Sequence, residues 1–366
     1  MLRPNILRPN IAIPRPKLEN RPMTDGVTRK SQHLDIVLRR DVGARGVTTG
    51  LEAVRFEHVA LPEVALADID LSTTFLNRRI AAPLLVSSMT GGPDRADAIN
   101  RAIAGAAQAL RIAFAVGSQR VALEGLAAGG FGRHLRDAAP DVPILANFGA
   151  AQLRTWNGAD MARRAADMIG ADAVVIHLNP LQEAVQAEGD KDWRGILAAL
   201  TRLQHEASVP LIVKEVGAGI SGPLAHQLWD AGIRIIDVAG CGGTSWAAVE
   251  AERAPDARAK AIAEAFRDWG IPTARAIADV RAACPSATLI ASGGFRDGLD
   301  VARALRLGAD LAGLAAGVLE AALAGEDALG LRLGIVIEQL RVACFCTASK
   351  DLAALRQARL LTDSPG

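Results

Sequence analysis

The chain has 366 residues, half of them hydrophobic, with 41 Lys and Arg against 40 Asp and Glu. That length suffices for a large core in one or two domains, and the balanced charge gives no electrostatic ground for expecting nucleic acid or an anionic membrane as partner. No segment offers the ~18 uninterrupted apolar residues of a membrane helix, and the basic, proline-rich start MLRPNILRPNIAIPRPKLENRP lacks the apolar run of a signal peptide, so a flexible arm over residues 1–27 of a cytoplasmic protein is expected.

The first motif after that arm is TRKSQH, residues 28–33. Arg29, Lys30 and His33 fall within one helical turn, a natural grip on a polyanion such as diphosphate, although a basic turn alone is usually just solvated. Between residues 80 and 320 short apolar runs alternate with Ala-rich amphipathic segments, the signature of repeated βα units. Eight strands are expected: PLLVSS (83–88), RIAFAV (111–116), PILANF (143–148), AVVIHL (173–178), PLIVKEV (210–216), RIIDVAG (234–240), ATLIASG (287–293) and DLAGLAAG (310–317). Eight strands, each followed by a helix, point to an α/β TIM (β/α)8 barrel, with a doubly wound open sheet as the competing arrangement. The expected organisation is a single catalytic domain over 28–350: an N-terminal segment 28–80, a barrel core 80–320 and closing helices 321–350, followed by a tail 351–366. No internal repeat longer than the βα unit is evident.

In a TIM barrel all strand ends share one face, so the polar or glycine-rich ends SSMTGG, GSQR, NFGAAQ, HLNPLQE, KEVGAG, DVAGCGGTS, SGGFR and AAG would line one pocket. ASGGFRDG and LAAG fall after strands seven and eight, where such barrels commonly bind a phosphate through backbone N–H groups and a helix N-terminus. Lys214 ends strand five with little water around it, so it needs a carboxylate or an anionic ligand; strand alternation sends Glu215 to the opposite face. By the same periodicity His177 and Asn179 share a face, and Pro180 turns the chain so that Gln182 and Glu183 follow around the rim. A carboxylate there, beside a phosphate, is a plausible Mg²⁺ ligand. The connection Cys241–Ser286 is polar in its middle and reads as a loop over the pocket or a solvated insertion. Cys344 and Cys346, within the apolar helical stretch GIVIEQLRVACFC, read with Cys241 and Cys284 as reduced thiols.

The set RKSQH (29–33), TTGLE (48–52), SSMTGG (87–92), GSQR (117–120), ANFGAAQL (146–153), HLNPLQEAVQAEGD (177–190), VKEVGAGIS (213–221), DVAGCGGTSW (237–246), DWGIPTA (268–274) and ASGGFRDG (291–298) resembles the type II isopentenyl diphosphate isomerases. HLNPLQE with AGCGGTSW is the specific part, since other FMN-binding barrels share only the phosphate glycines. The resemblance implies an FMN-binding barrel that interconverts isopentenyl and dimethylallyl diphosphate without net redox change, using reduced FMN, Mg²⁺ and NADPH as reductant, in a homo-oligomer (tetramer or octamer). FMN would be held by Ser87, Ser88, Met89, Thr90, Ser118, Asn147, Lys214, Thr244, Gly293, Gly294, Arg296, Ala315 and Ala316. Arg29, Lys30, His33, Ser118, Gln119, Arg120 and Gln182 would meet the substrate, and Glu183 would ligate Mg²⁺. His177, Asn179 and Gln182 would serve catalysis, Gln182 orienting or relaying a proton exchanged at the N5 edge of the reduced flavin. Phe295 stands where the family commonly has a β-branched residue, and the extension before Thr28 is longer than the family needs. An α-hydroxy-acid oxidase would share fold, lysine and phosphate turn but needs a His base and Arg residues, and AGCGGTSW carries neither; a non-catalytic phospholigand-binding barrel is the remaining alternative.

Overall fold

The computed structural model describes residues 26–89, 93–125 and 130–361, with side chains from Gln32 onward apart from those of residues 93 and 94. The expected arm up to Asp25, Thr90 and the side chains of Arg29 and Lys30 therefore lie outside the described residues. A short hairpin, Thr73–Phe75 (β1) and Arg78–Ile80 (β2), precedes eight parallel strands. These are Leu84–Val86 (β3), Ala113–Ala115 (β4), Ile144–Gly149 (β5), Ala173–Leu178 (β6), Leu211–Glu215 (β7), Ile235–Asp237 (β8), Thr288–Ser292 (β9) and Leu311–Leu314 (β10). They pair in chain order and β10 closes on β3, so the sheet is a closed barrel and the open-sheet alternative is excluded.

Several strands are shorter than the apolar runs suggested, because their last residues turn away to form the rim: β8 stops at Asp237, and Ala316 already opens the helix Ala316–Ala324. Alternation along each strand separates two cores. Leu84 and Val86 face the helices, whereas Leu85, Ala115, Leu145, Val175, Ile212, Ile290 and Leu311 fill the barrel interior. Phe75 and Ile80 of the hairpin join that inner cluster, which closes the end opposite the rim.

The connection from Cys241 to Ser286 is not a loop. It forms three helices, Trp246–Arg253, Ala257–Glu264 and Thr273–Ala283. The first two are capped by side chains: Ser245 accepts from the Ala248 N–H and Asp256 from the Ala259 N–H, which supplies partners for first-turn donors that a helix cannot satisfy itself. Residues 351–361 likewise do not extend as a tail. Asp351 caps the helix Leu352–Gln357, whose Leu352 and Leu355 are buried in the outer core.

A repeat longer than one βα unit does exist in three dimensions. Arg136 donates from Nε to Gly170 O at 3.0 Å and pairs through Nη2 with Asp172, which accepts from the Ile144 N–H at the start of β5. Four strands on, Arg281 donates from Nε to Gly308 O at 2.8 Å and pairs with Asp310, which accepts from the Leu289 N–H of β9. Each clamp ties one helix to the next strand, so the two half-barrels are braced alike; the motif is a handful of residues and escapes notice in the sequence.

Candidate active site

One cavity of about 550 Å³ opens at the carboxyl ends of the strands. Of the expected site residues it is lined by His33, Ser87, Ser88, Met89, Ser118, Arg120, Asn147, His177, Asn179, Gln182, Glu183, Lys214, Thr244, Gly293, Gly294, Arg296, Ala315 and Ala316. Gln119 is a correction. It is fully buried outside the cavity, donating to Ala165 O at 3.0 Å and accepting from the Asn147 N–H at 2.9 Å, so it fixes the backbone of β5 and does not face the cavity.

The floor is set by register. Gly149, His177, Lys214 and Asp237 are successive Cα partners across β5 to β8, so the side chains of His177, Lys214 and Asp237 form one polar layer above the apolar plug. Asn147 donates from Nδ2 to Ser88 Oγ at 2.7 Å, which turns its Oδ1 towards His177 Nδ1 at 2.9 Å. His177 thereby carries its proton on Nδ1 in the neutral tautomer, with Nε2 as its acceptor. Lys214 Nζ donates to Glu215 O at 2.7 Å and stands 3.6 Å from Asp237 Oδ2. The Glu215 carboxylate points the other way, accepting the N–H groups of Val216 and Gly217 at 2.6 Å each.

Above the floor, Pro180 begins the helix Pro180–Val185 and aims Gln182 and Glu183 inward. Asn179 Nδ2 donates to Gln182 Oε1 at 3.1 Å and to Glu183 Oε1 at 2.9 Å, and Glu183 Oε2 accepts from the Asp190 N–H at 2.7 Å. Gln182 Nε2 donates to Glu250 Oε1 at 3.0 Å, and the same oxygen meets His33 Nε2 at 2.9 Å. Glu250 also pairs with Arg253. Burial works against a charge on Glu250, but the His33, Arg253 and Gln182 contacts outweigh it and hold its carboxyl below the ordinary range. Trp246 presses edge-on against His33, ring centroids 5.2 Å apart. Arg120 pairs with Glu124 at 3.0 Å and Asp190 at 3.2 Å; burial opposes its charge, and these carboxylates with Glu183 more than offset that.

The N-terminal helix Gly26–Arg39 is held near the mouth by an edge pairing. Ala44 N–H donates to Gly243 O at 3.0 Å and Ser245 N–H to Val42 O at 2.8 Å, while Asp268 accepts the Arg45 and Gly46 N–H groups at 2.6 and 2.9 Å. Glu250, Trp246, Asp237 and Asp190 were not singled out as site residues from the sequence. The four cysteines are free thiols, and burial pushes Cys344 up to about 12.

The cavity suits a planar phosphorylated cofactor. Gly293 and Gly294 lie in the left-handed region, with φ of 104° and 77°, and a Cβ on Gly294 would meet Thr49 Cγ2 at 2.4 Å. Only glycine leaves their backbone accessible there. The helix Ala316–Ala324 starts at the same rim without a side-chain cap, and the N-terminus of a helix is the kind of site that binds phosphate. On the floor, Ser87 Oγ is buried without a hydrogen-bond partner and lies against Gly313, where a Cβ would approach it to 2.3 Å. A buried hydroxyl lacking a partner is costly, and a ligand with a polar edge would satisfy it. Among the described residues no group of three or more His, Cys, Asp or Glu could hold a metal by itself.

Comparison with known proteins bears on the fold and the family. Residues 150–362 match the FMN-dependent dehydrogenase family model. Crystal structures of mandelate oxidase superpose with TM-scores of 0.62 and 0.61 at 19% and 18% identity, covering 92% of this chain in both cases and 96% and 99% of the oxidase chains. The protein is thus an FMN-dependent-dehydrogenase-type TIM barrel. Isopentenyl-diphosphate delta-isomerases of Stutzerimonas stutzeri and Cronobacter sakazakii are 60% and 58% identical over 92% and 91% of this chain and 97% and 96% of their own lengths. At that similarity the chain belongs to the isopentenyl-diphosphate delta-isomerase family, in its type II, flavin-dependent form.

Proposed function

We propose that the chain interconverts isopentenyl diphosphate and dimethylallyl diphosphate in isoprenoid biosynthesis, using reduced FMN and Mg²⁺ and taking electrons from NADPH only to reduce the flavin. The observation that carries this reading is the joining of the phosphate-type glycine rim, the Lys214 floor and the Asn179–Gln182–Glu183–Glu250 network around one cavity. When bound, reduced FMN supplies an electron-rich ring that stabilises developing positive charge and an exchangeable proton.

The chain's own residues do the rest. Gly293, Gly294, Arg296, Ala315 and Ala316 would receive the FMN phosphate, and Ser87, Ser88, Asn147 and Lys214 would meet the ring. Arg120 and His33, with Arg29 and Lys30 of the same N-terminal helix, would bind the diphosphate. Glu183 is the proposed Mg²⁺ ligand; it offers one carboxylate, so the remaining ligands must come from diphosphate oxygens and water, as is usual for this ion. Gln182, its amide oriented by Glu250 and Asn179, would position or relay the proton that leaves one carbon as another is delivered, and His177 would border the reacting carbons. Val37, Val121, Trp246 and Leu319 line the same cavity and would exclude water from the alkene. The α-hydroxy-acid oxidase alternative requires a His base and Arg pair at the end of β8, where this chain has Ala239, Gly240, Cys241 and Gly242. A cytoplasmic homo-oligomer, tetramer or octamer, completes the proposal; no helix among the described residues is long and apolar enough to cross a membrane.

The test is an anaerobic assay with FMN, Mg²⁺ and isopentenyl diphosphate, with and without NADPH or dithionite. Dimethylallyl diphosphate formed only with reduced flavin, and without stoichiometric NADPH consumption, supports the reading. FMN uptake without isomerisation refutes it.

A further inference from the structure

Asp237 is a buried carboxylate that the mechanism above does not use. It ends β8, is 1% exposed and is absent from the cavity wall, yet it lies directly beneath it. Register makes it the Cα partner of Lys214, and its Oδ2 stands 3.6 Å from Lys214 Nζ. Its other oxygen is fixed: Oδ1 accepts from Ser292 Oγ at 2.6 Å and from the Ala239 N–H at 3.3 Å. Lys214 Nζ also lies 3.5 Å from Ser292 Oγ. The three side chains thus form a closed triangle on β7, β8 and β9, and only Lys214 and Ser292 of the three reach the cavity.

We infer that Asp237 is a positioning residue that sets the charge Lys214 presents to the flavin. The inference rests on the FMN reading given above. An isolated ammonium on the barrel floor would stabilise the electron-rich reduced flavin strongly. A carboxylate held behind it cancels much of that field, since opposite charges within a few ångströms in a poorly solvated site interact strongly. Asp237 also fixes the direction of the ammonium, because the Ser292 and Ala239 bonds leave the carboxylate no other place to turn. The arrangement moderates how tightly the protein holds reduced relative to oxidised FMN, and in a reaction without net redox change the moderated flavin stays basic enough to take back its proton.

The experiment is spectroelectrochemical titration of FMN bound to the whole protein. Asp237→Asn leaves Lys214 uncompensated, so the affinity ratio of reduced to oxidised FMN is expected to rise on the order of tenfold, a positive shift of roughly 30 mV for a two-electron couple. Lys214→Met, which removes the ammonium and leaves Asp237 in place, shifts the potential the opposite way. Asp237→Ser, which keeps a hydroxyl for Ser292, replaces the Asn variant if the latter does not fold. A wild-type potential in a folded, FMN-loaded Asp237 variant, or a Lys214→Met potential that does not move the opposite way, overturns the inference alone. A wild-type protein that takes up no FMN overturns the flavin reading and the inference with it.

Discussion

Glu250→Gln is the most informative perturbation of the site. The wild-type carboxylate is 3% exposed and accepts from His33 at 2.9 Å, Gln182 at 3.0 Å and Arg253. Being ionised, it can only accept, which obliges Gln182 to present its NH₂ group to Glu250 and its Oε1 to Asn179. An amide of the same shape can present either end, so the orientation of Gln182 is no longer dictated. Hydrogen bonds to a charged group contribute about 1.5 to 3 kcal/mol each, and the amide retains part of each contact while leaving Arg253 without its anion; the net loss of stability is about 2 to 4 kcal/mol. For catalysis, misorienting a proton-handling group costs on the order of 10- to 100-fold in rate. Urea unfolding reads the first quantity, and steady-state kcat at saturating FMN and substrate reads the second. FMN affinity is expected to stay within a few-fold of wild type, since His33, Gln182 and Arg253, the described partners of Glu250, are not among the residues assigned to the cofactor. A folded, FMN-loaded Glu250→Gln enzyme with wild-type kcat would refute the claim that Glu250 orients Gln182.

Other outcomes are expected from the same geometry. Gln182→Ala lowers turnover while FMN remains bound, checked by flavin absorbance on the purified variant; unchanged turnover removes Gln182 from the mechanism. Gly294→Ala forces a Cβ onto φ of 77° against Thr49 and Gly242 and is expected to cost about 1 to 3 kcal/mol and much of the FMN affinity, whereas Gly330→Ala, helical with open space around it, raises stability by about 0.5 to 1 kcal/mol. The lowered pKa of Glu250 relative to its ordinary 4.5 gives a stabilisation present above that value and lost as pH falls through the folded-state pKa. The stability gap between wild type and Glu250→Gln should therefore narrow in urea titrations run below about pH 4.5.

Much of this was legible in the sequence because a parallel barrel writes its strands as apolar runs and its active face as the residues that end them. Lys214 and Glu215 are separated by alternation alone, and the structure puts them on opposite faces. Where alternation was not applied, the reading slipped: Gln119 was pooled with its neighbours in GSQR, and it turns into the shell behind β5. Glu250 was missed for a different reason. It sits in the helix Trp246–Arg253, whose buried face is mostly alanine, so the segment lacks the apolar bulk that marks a helix, and the Ser245 and Asp256 caps were the only local signals. Asp237 carries no signal of its own, because a carboxylate at a strand end declares its partner only when the neighbouring strand's register is known.

Glu250 also joins two parts of the site, around His33 and Gln182, that lie 149 residues apart in the sequence. One of its oxygens meets both His33, on the helix that carries Arg29 and Lys30, and Gln182, on the helix after β6. Grip on the diphosphate and orientation of the proton-handling amide therefore share an acceptor. Removing His33 takes away one of the donors that hold Glu250 Oε1 in place and weakens its hold on Gln182, so part of the harm done by Gln182→Ala is already present in His33→Ala. In a double-mutant cycle the two losses in kcat/KM should be sub-additive by about 0.5 kcal/mol or more, the range seen for residues sharing a hydrogen-bond network. In a Glu250→Gln background, where the common acceptor is already altered, the coupling should shrink. Strict additivity in the wild-type background would mean that the N-terminal helix and the catalytic amide act independently, and that Glu250 is only a structural tie between them.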